Sequence, residues 1–242
     1  HDTWSGCEEA AAACAEHGMR FVTGIELSAS WRGQAVHVIG LLLDPRDASL
    51  AAHVAGVIAQ RRVRICEIGE RLRRRGRIAG DEMAQSVLTQ NSVPTRQHLA
   101  RELVRGGHAT DTNDAFERWL GRERPGHVPV EWPGLETTLA HLQANGACAV
   151  LAHAHRYRLS SGMLRRLVAE FAGLGGAALE VSLPGMSPAA ADRIAQLARA
   201  HRLAGSAGSD FHDPAVPWNP LGRWLKLPDR IEPLAERFCG GH

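Results

Sequence analysis

Aromatic side chains are scarce in this chain, 5% of 242 residues, and Tyr157 is the single tyrosine. Few flat surfaces are therefore offered to a base or sugar. Tyr157, Trp119 and Trp132 are the candidate platforms, and each suits a core or interface position as readily. No stretch of about 18 apolar residues occurs, so no segment reads as a membrane-spanning helix. The five cysteines, Cys7, Cys14, Cys66, Cys148 and Cys239, are odd in number and form no CxxC pair. That argues against a disulfide framework or a zinc ribbon. Reduced thiols and a cytoplasmic setting are the expectation. Charge of one sign does not dominate either, because the formal net charge is only +2. Basic density is local, between Arg61 and Arg77, and suits a solvated helix face or, less readily, nucleic-acid contacts. The chain opens on His1, without a basic segment followed by an apolar one, and an N-terminally truncated chain is the expectation.

What is present points to an α/β protein. An apolar content of 44% suits a sizeable core, and the length suits one large α/β domain or a core with an inserted subdomain. Residues 6–17 read as an Ala-rich helix. Phe21–Ile25 reads as a short strand with Glu26 at its end, and Val36–Leu41 as a second strand closed by the turn signal Asp44-Pro45. From Leu50 the period changes. Leu50, Val54, Val57, Ile58, Ile65, Ile68 and Leu72 recur every three or four residues, the pattern of an amphipathic helix with an arginine-rich outer face. Helical patterning continues through 81–120, including a helix at 112–120, and 121–129 reads as a loop. Alternation then resumes. Ala147–Ala152 is a continuous apolar run that suits a buried parallel strand, and His153 follows it at once. Ala177–Val181 and Leu203–Gly208 read as further strands, with helices between. The expected organisation is 1–60 and 131–242 forming one α/β body, with 61–130 inserted as a helical subdomain. Strands alternating with helices predict a largely parallel sheet, either a barrel or a doubly wound open sheet, with its ligands at the carboxyl ends of the strands.

Several expected strands end in a metal-type ligand. Glu26 closes one strand, His153 another, and Asp210 and His212 follow a third, while His37 lies inside its strand. Each residue alone has a bland reading: a hydrogen-bonded structural histidine, a surface carboxylate, an Asx turn. Their recurrence at equivalent places in successive βα units favours a shared site. Imidazole and carboxylate donors together suit Mn, Zn or Fe better than Mg or Ca, and a carboxylate can bridge two ions about 3.5–4 Å apart.

The same residues carry a resemblance. His1-Asp2-Thr3 is similar to the end of the T-D-H-D-T motif of the PHP (polymerase and histidinol phosphatase) phosphoesterases. Gly24-Ile25-Glu26-Leu27-Ser28, Val36-His37-Val38-Ile39-Gly40-Leu41, Ala152-His153-Ala154-His155-Arg156-Tyr157 and Gly208-Ser209-Asp210-Phe211-His212 resemble further motifs of that family, in order, along nearly the whole chain. The segments Arg96-x-His98 and Leu120-Gly121-Arg122-x-Arg124-Pro125, with Val128-Pro129, resemble its RNase AM-like branch. The resemblance implies a distorted (βα)7 barrel of PHP type, here missing its first strand, with a helical insertion subdomain. It implies up to three divalent metals, commonly Mn. Glu26 would bridge two ions, His37 and His153 would ligate the second, Asp210 the first, and His1 and His212 the third. Arg156 would bind substrate phosphate, and Arg96 and His98 would face substrate. The family's upstream H-x-H pair and nearby Asp lie outside this sequence. Ala154 stands where the family has Pro, and His127 where an aromatic is common.

The chemistry so implied is metal-assisted hydrolysis of a phosphoester, by hydroxide from a water acidified to a pKa of about 7. Glu26 and Asp210 are the candidate catalytic carboxylates, and His98 or His155 a candidate leaving-group acid. The expected substrates are single-stranded RNA attacked from its 5′ end and nucleoside 3′,5′-bisphosphates, with no membrane and no obligate protein partner. A phosphatase of another small metabolite, such as histidinol phosphate, and a non-catalytic nucleotide-binding module are the competing readings.

Overall fold

A computed structural model describes residues 1–212, 221–223 and 226–239. The chain divides into two compact units. One contains residues 3–51 and the described residues beyond 132; the other contains His1–Asp2 and residues 52–132.

The first unit is built on a five-stranded sheet in sequence order: β1 (Gly24–Trp31), β2 (Gln34–Leu41), β3 (Cys148–Leu151), β4 (Ala178–Ser182) and β5 (Ala204–Ala207). The expectation of a largely parallel sheet holds only for its second half. β3, β4 and β5 are parallel, but β1 pairs antiparallel with β2, and β2 antiparallel with β3. The reason is local. Only Arg32 and Gly33 separate β1 from β2, and both have positive φ, 50° and 76°. A two-residue turn of that kind folds a chain back on itself, whereas a parallel connection needs a dozen residues or more. β1 also starts and ends later than expected, so Glu26 sits inside the strand and not at its end.

The register sorts side chains onto two faces. Ile25, Leu27, Val36, Val38, Leu151 and Leu179 lie on one face and are buried. Helix α6 (Leu135–Asn145) packs on β1, β2 and β3, and α8 (Pro188–Ala200) on β4 and β5. Ser187 caps α8 by accepting the Ala190 N–H, with Pro188 in the first turn, where its missing N–H costs nothing. The opposite face is divided. Ile39, Leu41, Cys148, Val150, Ala178 and Ala204 form an apolar patch with Leu234. Glu26, His37 and Glu180 extend the same face as polar groups. The remaining helices of this unit are α1 (Cys7–Glu16), α7 (Ser161–Gly173) and α9 (Leu234–Cys239).

The second unit is helical. The distal part of α2 (Ala48–Arg71) continues into a π-helical turn at Leu72–Gly76, followed by α3 (Gly80–Gln90), α4 (Arg96–Arg105), the short α5 (Thr112–Ala115) and a second π-helical turn at Phe116–Leu120. Its core is Ile65, Ile68, Leu72, Val87, Leu99, Leu103 and Leu120, the first three of which belong to the three-and-four apolar stripe that opens at Leu50. Helix α4 opens with a capping box. Thr95 Oγ1 accepts the His98 N–H at 3.4 Å, and His98 Nδ1 accepts the Thr95 N–H at 3.2 Å.

A candidate metal centre

Glu26 and His37 meet because of the hairpin register. Ser28 lies opposite His37 and Glu26 opposite Ile39, so Glu26 is a diagonal same-face neighbour of His37. His153 arrives from the next strand, immediately past the end of β3, where the Ala152 N–H still donates to the His37 carbonyl at 3.1 Å. Glu26 Oε1 lies 3.0 Å from His37 Nδ1 and 3.1 Å from His153 Nε2, and the two ring nitrogens lie 3.0 Å from each other.

Backbone and hydroxyl contacts hold this triangle in shape. The His37 N–H donates to the Tyr157 hydroxyl oxygen at 2.9 Å, and that hydroxyl donates to the Ala152 carbonyl at 2.8 Å. Tyr157 thus ties the start of β2 to the end of β3 and is not an open stacking surface; burial pushes its phenol up. His153 has φ 31°, in the left-handed region, where a side chain is strained. Its N–H donates to Glu180 Oε2 at 2.7 Å, which anchors the strained residue to β4.

The electrostatics follow from crowding charge into a buried space. Burial raises the Glu26 carboxyl, but hydrogen bonds and charge from His153 and His37 outweigh it and hold the group well below the usual carboxylate range. Burial depresses His153, yet its bond to Glu26 and the negative field of Glu26, Glu180 and Asp210 leave it raised. Glu180 is pushed up to about 7, first by burial and then by Glu26 and Asp210, against the opposing bond from the His153 N–H. Glu180 lies in the expected strand 177–181, where the sequence assigns it no role. A lone acid in the apolar run Ala178-Leu179-Glu180-Val181 was the available signal, because a buried carboxylate costs several kcal/mol unless it has a partner.

Of the remaining expected site residues, His212 brings a ligand atom within 4.8 Å of one on Glu26. Asp210, three residues past β5 at φ 50°, pairs with the Arg156 guanidinium. His212 Nδ1 lies 2.9 Å from the Asp210 carbonyl oxygen and is exposed. Burial, then Arg156 and His153, push the His155 ring down to about 4. Arg96 and His98 belong to the helical unit. Arg96 lies with its guanidinium 5.5 Å from the Phe116 ring centroid, and burial and Arg61 lower its pKa. His98 is lowered by burial, Arg101 and Arg61. His1 is exposed in the same unit, next to Asp2, whose fully buried carboxylate pairs with Arg61 at 2.5 Å.

The triangle suits a cation. Two donors at right angles about 2.1 Å from one octahedral ion lie about 3.0 Å apart, which is the spacing of Glu26 Oε1, His37 Nδ1 and His153 Nε2. His153 Nδ1 is buried with no hydrogen-bond partner among the described residues. Two imidazoles and a carboxylate, ringed by further acids and with an arginine at the edge, constitute the equipment of a metal-assisted hydrolase of anionic esters.

No family model matches the chain. It is 34% identical over 238 residues to a 5′-3′ exoribonuclease of Haemophilus influenzae, covering 98% of this chain and 86% of that protein. It is 37% identical over 234 residues to the 5′-3′ exoribonuclease Rnm of Escherichia coli, covering 96% and 79%. Identity to the 3′,5′-nucleoside bisphosphate phosphatase of Chromobacterium violaceum is 33% over 234 residues, covering 97% and 82%. A solved amidohydrolase from Chromobacterium violaceum, with sulfate bound and no metal, superposes with a TM-score of 0.88 at 33% identity over 98% of this chain and 82% of that one. A solved protein assigned as a metal-dependent phosphoesterase, from Bifidobacterium adolescentis, superposes at 0.80 with 28% identity and the same coverage. The class is therefore that of the phosphoesterases. Within it, the chain belongs to the family that includes the 5′-3′ exoribonuclease Rnm and the 3′,5′-nucleoside bisphosphate phosphatase.

Proposed function

We propose that this protein hydrolyses phosphate esters of nucleotides or RNA, acting on nucleoside 3′,5′-bisphosphates and on single-stranded RNA from its 5′ end, with divalent metal ions as cofactors. The triangle of Glu26, His37 and His153 carries the proposal. The names and near-full-length similarity of the relatives support the substrate class. The mixed donor set suits Mn, Zn or Fe, and the resemblance favours Mn and gives up to three ions. The five strands are read as part of a distorted (βα)7 barrel of PHP type.

Glu26, His37 and His153 would hold one ion, and Asp210 is assigned to a neighbouring one. Bound ions would acidify a water for attack on phosphorus and neutralise charge on the phosphoryl oxygens. The chain's own contribution is positional. Glu26 is kept ionised by its two imidazoles, so it needs no deprotonation before it acts as a ligand. Tyr157 and Glu180 fix the backbones of His37 and His153, so ligand geometry is set before substrate arrives. Arg156, 44% exposed at its side chain, presents a planar fork that fits two phosphoryl oxygens. His1 and His212 are assigned as ligands, and Arg96 and His98 as substrate contacts, by resemblance.

The decisive experiment is release of inorganic phosphate from a nucleoside 3′,5′-bisphosphate, with Mn present and after chelation. Mn-dependent turnover that chelation abolishes is the expected result. Faster turnover of histidinol phosphate than of the bisphosphate would replace the substrate class. Nucleotide binding without any turnover, and without bound transition metal, would replace the enzyme by a binding module.

A further inference from the structure

The helical unit holds a surface pocket that the catalytic reading does not use. It has a volume of about 510 Å³ and is lined by Arg75, Gly76, Glu117, Arg118, Trp119, Arg124 and Pro125. All seven residues belong to that unit. The pocket is built from the two π-helical turns and the loop that follows the second. Trp119 packs directly on Gly76: a Cβ there would stand 2.8 Å from the indole, so only glycine admits the ring. The indole N–H donates to the His108 carbonyl at 2.9 Å, which fixes the ring plane. The loop is pinned back on the turn, with Gly121 N–H donating to the Phe116 carbonyl, Arg124 N–H to that of Gly121 and Gly126 N–H to that of Trp119.

The charge pattern is one-sided. Three guanidiniums face one carboxylate. Arg118 is partly committed, to Asp114 at 3.1 Å and to the Trp119 ring at 5.9 Å. Arg75 and Arg124 are exposed and have no acidic partner among the described residues. Their neighbours Arg73 and Arg74, by contrast, are paired with Glu70. An aromatic wall with unpaired arginine forks on a scaffold fixed by backbone bonds is the arrangement that holds single-stranded nucleic acid, with a base against the ring and phosphates on the forks. The volume falls in the range of small-ligand pockets, about 300–1,000 Å³, and so admits one nucleotide unit.

We infer that this pocket is an RNA exosite: it takes one nucleotide of a single-stranded RNA chain other than the nucleotide being hydrolysed, through Arg75 and Arg124 on its phosphates. The inference rests on the RNA-directed reading of the active site, deepens it to substrate length, and separates the two substrate types. A mononucleotide bisphosphate occupies only the catalytic site, whereas an RNA chain engages both.

The test uses the Arg75→Ala/Arg124→Ala double variant of the full chain; both side chains are exposed, so folding is preserved, and circular dichroism checks this. With the metal chelated, Kd for fluorescent single-stranded RNA oligomers of increasing length is measured by anisotropy across a salt series. Above a threshold length, the double variant binds about five- to tenfold more weakly, and the slope of log K against log salt falls by about 1.4, about 0.7 for each lost phosphate contact. The KM for RNA rises by the same factor relative to that for the nucleoside 3′,5′-bisphosphate. Unchanged RNA binding at every length overturns the inference and leaves the pocket to an acidic protein segment. Equal weakening toward mononucleotide and RNA also overturns it, because the arginines would then belong to the catalytic site. Absence of turnover in the unaltered protein would sink the active-site reading alone, since the binding measurement needs no catalysis.

Discussion

The two units gather different charged groups. The sheet unit hides acids and imidazoles on one polar patch: Glu26, Glu180 and His153 crowd together, and their field draws cations. The helical unit hides guanidiniums. Arg64 is pushed down to about 10 by burial and then by its neighbours Arg96 and Arg61, and it donates to the Val128 carbonyl, while Arg61 is paired with the buried Asp2. Hydrolysis of a phosphate ester needs both kinds of surface, and here each is built by a different secondary structure. Strands bring donors from three chain segments into atomic register, as an ion requires. Helices array long flexible cations over a wider area, as a polyanion requires.

Four substitutions or conditions break or sharpen that contrast, beyond the exosite test. The largest effect is expected at the cation-binding patch. Glu26→Ala should lower turnover of a nucleoside 3′,5′-bisphosphate by at least about a thousandfold, since a bound ion supplies several kcal/mol of charge stabilisation. Bound metal by elemental analysis should fall with it, and a variant that keeps full activity and metal would refute the assignment. In the helical unit, Asp2→Ala strands a buried guanidinium and should cost about 4 kcal/mol in urea unfolding. A cost under about 1 kcal/mol would mean that Arg61 finds water or another acid.

The third concerns pH in the chelated protein. Glu180 has a folded pKa of about 7, above its ordinary 4.5, so the folded state keeps a proton that the unfolded chain has already released. The associated stability is present below about pH 4.5 and is lost as the pH rises through about 7, by up to about 3 kcal/mol. Glu180→Gln should flatten that slope in denaturant titrations at pH 5 and pH 8, and an identical slope in both proteins would exclude Glu180 as its source. The smallest effect is Thr95→Ala, which removes one half of the capping box on α4 and should lower stability by about 1 kcal/mol without changing metal content.

How much was legible in the sequence also differs between the units. The helical core could be read directly, because Ile65, Ile68 and Leu72 repeat at the helical period and nothing at longer range competes with it. The metal triangle was legible as residue types in or just after strands. Its geometry was not, since the approach of Glu26 to His37 depends on a pairing register between strands. The antiparallel start was missed although Arg32-Gly33 between two apolar runs is a hairpin signal; the βα alternation downstream pointed to parallel pairing, and there it holds. Glu180 and Tyr157 carry no motif of their own. Their roles arise only when the first half of β2 comes level with the carboxyl ends of β3 and β4, and no local pattern records that.

The Arg32-Gly33 turn has one further consequence. It leaves no slack: both residues are consumed in reversing the chain, so the phase of β1 against β2 is dictated by where the turn falls. A deletion or insertion of a single residue between Glu26 and His37 would rotate one of them to the far side of the sheet, into the hydrophobic layer under α6. Both residues would survive in the text of the gene while the centre itself was dismantled. For proteins built this way, the interval between two ligands is as much a part of the catalytic inheritance as the ligands themselves.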